Sequence, residues 1–74
     1  MLDINKLQER KIYDVTFTLE DQEEITVPHE YVGNKQFECH WSGCYLDLNQ
    51  DEMLHYDEED NVTNVLKYSI NPEN

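Results

Sequence analysis

Apolar and polar residues alternate most regularly from Ile12 to Leu19. Tyr13, Val15, Phe17 and Leu19 stand on one side of an extended chain, with Asp14, Thr16 and Thr18 on the other. A period of two marks a half-buried β-strand, and threonine suits a pleated, solvated face. The same period returns in residues 36–49, QFECHWSGCYLDLN. Phe37, Cys39 and Trp41 alternate before Ser42-Gly43, and Cys44, Leu46 and Leu48 alternate after it. With Ser42-Gly43 as a two-residue turn, this stretch predicts a β-hairpin closed by Trp41 and Cys44, with all six side chains on the core face. Glu38, His40, Tyr45 and Asp47 fall on the opposite face.

The remaining stretches are shorter. Residues 4–11, INKLQERK, predict a helix: Asp3 is a plausible N-cap, Ile4 and Leu7 make an apolar stripe completed by Leu2 or Ile12, and basic residues fill the last turn. Two turns are marginal alone, so the helix would dock on the sheet. Residues 20–24 form a polar turn. Keeping Phe17 and Leu19 on the face of Val27 and Ile25 asks for an odd-numbered loop, centred on Gln22. Pro28 ends the second strand or lies at an edge. His29 to Lys35 reads as a connector with a turn at Gly33-Asn34. Residues 53–56 suit a helical turn or a short strand equally. In residues 62–70, Leu66, Tyr68 and Ile70 alternate as a strand, while Val62, Val65, Leu66 and Ile70 suit a helix. The β-branched and aromatic content favours strand. Residues 71–74 are a frayed tail. The expectation is one domain over 1–74 of α+β class, a short N-terminal helix followed by a small, mostly antiparallel sheet of four to five strands.

Composition changes the picture mainly through charge. Seventeen acids against five bases leave a net charge of −12 on 74 residues. The imbalance is uneven: residues 1–11 carry +1, and residues 12–74 carry −13 with only Lys35 and Lys67 as bases. Such a surface repels nucleic acid and anionic membranes and is steered toward basic partners, although added acids also serve plain solubility. So small a chain leaves little room for a cofactor cavity beside a core. No glycine-rich phosphate loop and no basic patch with interleaved aromatics occurs. MLDINKLQ lacks the apolar run of a signal peptide, and no stretch is long enough to span a membrane. A cytoplasmic location with Cys39 and Cys44 as free thiols follows, which leaves the Asn61-Val62-Thr63 sequon without meaning.

Candidate chemistry is sparse. Cys39, His40 and Cys44, with His29 and His55, invite a zinc reading. The Cys-x4-Cys spacing and the opposite faces of Cys39 and His40 argue against it, so no metal or cofactor is expected. With Trp41 opposite Cys44, Cys39 lies diagonal to Cys44, beyond easy disulfide reach. Adjacent Cys39 and His40 do not make a nucleophile and base, so an enzyme is not expected. The acids themselves form a pattern. Glu20, Asp21, Glu23 and Glu24 cluster first, Asp47, Asp51 and Glu52 second, and Asp57, Glu58, Glu59 and Asp60 third. Each alone is an ordinary solvated loop. Together they could occupy a groove built for phosphates, with Tyr56, Tyr45 and Tyr31 as aromatic anchors. The opening INKLQ, leading through Lys11 and Tyr13 into a strand within a tiny acidic chain, resembles in style several phage-encoded inhibitors of bacterial defence systems. That resemblance covers about fifteen residues and assigns no functional residue. Two functions are therefore expected: a charge mimic of nucleic acid that blocks a basic nucleic-acid-binding protein or nuclease (in the host cytoplasm if phage-encoded), or an interaction module that dimerises or docks through a sheet edge.

Overall fold

The alternating stretches close on one another in a ring. The computed structural model describes residues 2–21, 23–49 and 51–72, and six strands follow in order. They are β1 (Ile12–Leu19), β2 (Glu24–Gly33), β3 (Gln36–Cys39), β4 (Tyr45–Asp47), β5 (Leu54–Tyr56) and β6 (Val62–Pro72). Each pairs antiparallel with the next, and β6 returns to β1, so the sheet is a closed barrel. The α+β expectation is therefore overturned. The four or five strands are six, and the helix at residues 4–11 is a single 3-10 turn, Ile4–Lys6.

That turn starts as its sequence suggests, with the Asp3 carboxylate accepting the Asn5 amide. It stops because tertiary bonds claim the next residues. Leu7 is already extended, the Gln8 amide donates to the Tyr13 hydroxyl, and Arg10 turns left-handed at φ 70° so that its amide reaches the Tyr31 carbonyl. Eight residues are too few to hold a helix against such competition. Leu2, Ile4 and Leu7 still pack on the core.

Alternation sends Tyr13, Val15, Phe17, Leu19, Tyr31, Phe37, Leu46, Leu48, Val65 and Ile70 inward. Val15, Phe37, Leu46 and Ile70 are wholly enclosed. The first hairpin pairs Phe17 with Ile25 and Val15 with Val27. The faces are those expected, but each partner is shifted by two residues, so the hairpin centres on Asp21 and not on Gln22, which lies outside the described residues. The His29–Lys35 connector is instead the second half of β2. It ends in a two-residue turn at Asn34-Lys35, both with positive φ (53° and 59°), the conformation that matches strand twist in a hairpin. At Gly33 (φ 93°) a Cβ would also meet the Glu9 side chain at 2.8 Å. Residues 54–56 are strand, and residues 62–70 are strand as the composition favoured; the strand runs on through Asn71 and Pro72, paired with Asp14 and Tyr13, where a frayed tail was expected. A bulge opposite Thr18/Leu19 shifts the inward phase of β6. Val65 then faces in, and Leu66, expected inside, is exposed.

The central hairpin has the largest correction. Phe37 pairs with Leu46 and the Cys39 amide bonds the Cys44 carbonyl, so the loop is the four residues His40 to Gly43. Gly43 does not take positive φ, and Trp41 is 72% exposed instead of closing the core. The interior explains this. Phe17, Phe37, His29 and His55 already fill that part of the lumen, their rings 5.1–6.5 Å apart, and six strands enclose too little space for an indole as well.

Truncating Phe37 to alanine should lower unfolding free energy by about 3–5 kcal/mol in urea titration, with the midpoint shifting at constant slope. Lys35→Gly should raise it by about 1 kcal/mol, because Asn-Gly takes the left-handed turn without the side-chain penalty Lys35 bears. A neutral outcome for Lys35→Gly would mean that the turn is unstrained.

Candidate functional site

Up-and-down connectivity sorts the loops between two ends of a body 28 Å long. The turns at residues 20–23, 40–44 and 57–61 share one end. The turn at 34–35, the loop at 48–53 and the N-terminal segment share the other. Two of the expected acid clusters therefore meet. Glu20, Asp21, Glu23 and Glu24 join Asp57, Glu58, Glu59 and Asp60 around one rim, eight carboxylates in two loops and at the start of β2, and those loops contain no lysine or arginine. The third cluster is separated from them. Asp51 and Glu52 lie exposed at the opposite end, and Asp47 is only 8% exposed. The Asp47 carboxylate is turned to the Asn49 amide at 3.0 Å. Lys35 and Arg10, which pairs with Glu30 at 3.2 Å, belong to that opposite end, whereas Lys67 of β6 flanks Thr18 across from Glu24.

Several rim acids shape their own loops. Asp57 Oδ1 accepts the amides of Glu59 and Asn61 at 2.9 Å, and its Oδ2 accepts the Asn61 side-chain amide at 3.1 Å. These bonds from Asn61, ahead of the smaller contributions, hold the Asp57 carboxyl below its usual range. Asp21 accepts the Glu23 amide, and Glu20 Oε1 accepts the Asn64 amide at 2.9 Å, tying the first acidic loop to β6. Glu58, Glu59 and Asp60 stand exposed.

Within the rim lies a cleft of about 270 Å³, lined by Phe17, Ile25, Val27, His29, Cys39, Trp41, Cys44 and His55 among others. Trp41 gave a misleading signal in the sequence. Its place in the alternation put it in the core, whereas it stands at the cleft's mouth. Of the tyrosines expected as anchors, Tyr31 is buried, and Tyr45 and Tyr56 pack edge to face on the outer wall with centroids 6.0 Å apart. The cysteines stand directly opposite one another as free thiols, so the diagonal placement that argued against a disulfide does not hold. Two histidines and two cysteines share the cleft, yet among the described residues no three His, Cys, Asp or Glu side chains are grouped to hold a metal ion.

The histidines are interior residues that the pattern did not disclose. His29 Nδ1 lies 2.9 Å from the Val27 carbonyl, which can only accept, so Nδ1 carries the proton. Nε2 is then an acceptor, buried without a protein partner. Desolvation pushes His29 down, with the nearby His55 adding to it, and desolvation lowers His55 against the raising effect of Asp57. Both are thus neutral at pH 7.

Comparison with protein-family models, curated proteins and solved structures finds no match for the chain. Among the described residues no helix is long and apolar enough to cross a membrane.

The lowered histidines set a pH window. Unfolded, both titrate near 6.5. Between that value and their lower folded values the unfolded chain binds more protons, so stability drops as pH falls through 6.5. Asp57 contributes only below its usual range near 3.8 and stays outside this window. Melting temperature should fall between pH 7.5 and 5.5, and His29→Phe or His55→Phe should flatten the slope. An unaltered slope in both variants would refute the assignment.

Proposed function

We propose that this chain is a small acidic binding protein that docks end-on, through the loops at residues 20–24, 40–44 and 57–61, onto a cationic groove of a nucleic-acid-binding protein or nuclease, in the cytoplasm. It blocks that groove by presenting carboxylates where phosphates would lie. One observation carries the reading: eight carboxylates share one end with no lysine or arginine in its loops, around an exposed Trp41. Like charges gathered on one face cost stability, and solubility alone is served as well by acids spread over the whole surface. Exposed tryptophan beside such a field is the residue type most enriched in binding hot spots.

The placement favours the two rim clusters over Asp47, Asp51, Glu52 and Tyr56, which leave this end or lie on the wall. It also narrows the alternative of dimerising through a sheet edge, since closure occupies both flanks of β1 and pairs β6 with β1 and β5, leaving residues 24–27 of β2 as a short open flank. Recognition would be fast and salt-sensitive, as expected when counter-charges steer the encounter.

Immobilised protein should capture a nucleic-acid-binding enzyme from a bacterial lysate, release it in about 0.5 M salt, and lose it to competing duplex DNA. Lysine replacement of Glu20, Asp21, Glu23 and Glu24, or of Asp57 to Asp60, should weaken capture at least tenfold. Reversal of Asp51 and Glu52 should leave it intact. Capture that survives high salt, or that responds equally to reversal at both ends, would contradict the proposal.

A further inference from the structure

The barrel wall is incomplete at its acidic end. β3 stops pairing with β2 at the His29–Cys39 rung, and beyond it only the His40 amide reaches across, to the Pro28 carbonyl at 2.9 Å. Residues 24–27 of β2 have β1 on one flank and no strand on the other. Backbone polar groups point alternately to the two flanks of an antiparallel strand. The alternation that aims the Pro28 carbonyl at His40 therefore aims the amide and carbonyl of Thr26 the same way, past the end of β3. Pro28 itself fits here because the amide hydrogen it lacks would have faced this same flank.

The cleft adjoins this free edge, since Ile25 and Val27 of the same stretch line it together with Trp41, Cys39 and Cys44. A sheet edge with one donor and one acceptor to spare, over an apolar cleft, is suited to receive an added strand. The eight rim carboxylates determine what kind of strand: an anionic segment is repelled and a cationic one is drawn in.

We propose that this edge and cleft receive an extended, cationic segment of the partner protein. Its backbone pairs with Thr26, and one aliphatic or aromatic side chain fills the space between Val27 and Trp41. The inference rests on the reading of the acidic end as the face for a basic partner, and it adds a specific anchor to a field that alone would be indiscriminate. Lysine or arginine flanking the buried residue along the segment lies within the field of the rim acids.

The test uses the full chain and the peptide acetyl-Lys-Thr-Leu-Thr-Lys-amide, with emission of Trp41, the single tryptophan, as the signal and calorimetry as the check. The expected result is a blue shift on binding at low salt. Exchanging the central leucine for asparagine should cost at least tenfold in affinity, and exchanging both lysines for glutamate should abolish binding. Amide N-methylation on alternate residues should block binding in one phase and be tolerated in the other, because only one set of amides faces β2. Trp41→Ala, at an exposed site that leaves the core intact, should weaken the parent peptide several-fold by calorimetry. Equal binding by the leucine and asparagine peptides, or tolerance of both methylation phases, would overturn the edge-and-cleft site while leaving charge recognition standing. No binding by any lysine peptide would also overturn it. The broader reading falls only if charge reversal at the rim leaves partner capture unchanged.

Discussion

β1 carries seven paired residues toward β2 and seven toward β6, the longest ladders in the molecule, and they join the beginning of the barrel to its end. This pairing converts a meander into a closed surface. Without it, β1 and β6 would each expose a long row of unpaired amides and carbonyls, and the inward alternation would face water on an open sheet. Closure also makes the interior narrow. Every inward side chain then competes for a lumen already holding Phe17, Phe37, Leu46 and Ile70, and that competition decides several local outcomes.

Trp41 is one of them. A shorter turn would have drawn it inside, and the four-residue loop leaves it at the mouth. The β6 bulge is another, since it exchanges Leu66 for the smaller Val65 beside Leu19. The histidines follow the same logic from the opposite direction. His29 and His55 sit at inward positions of strands whose partners are inward, so they are enclosed as neutral, stacking rings despite their polarity. Enclosing them makes stability depend on keeping them unprotonated.

The two ends of the barrel differ for reasons that start at the N-terminus. Leu2, Ile4 and Leu7 pack on the core, and the Gln8 and Arg10 amides tie the segment across the end that holds Tyr13 and Tyr31. Among the described residues no such segment covers the other end, where β3 and β4 are short and β2 runs on paired only with β1. That end keeps its cleft, its partly unpaired strand and its exposed tryptophan, and it carries the densest negative charge. One end is thus covered and tied down, and the other is open and charged.

The sequence by itself determined the β1 strand and its inward face, the inward placement of Ile25 and Val27, the strand character of residues 62–70, and the net negative charge. Period-two alternation and net charge are local or additive, so they can be read without coordinates. Only the tertiary structure decided that INKLQERK would surrender its helix to bonds with Tyr13 and Tyr31, that Cys39 would face Cys44, and that Trp41 would leave the core. It also decided which acids share an end of the barrel. Residues 20–24 and 57–60 are more than thirty positions apart and meet because an even number of antiparallel crossings returns the chain to the same end, whereas the odd crossing before Asp51 and Glu52 takes them to the other. Register and closure depend on how many rings a six-stranded lumen can hold. That is a property of all the strands at once, and no single stretch of the chain records it.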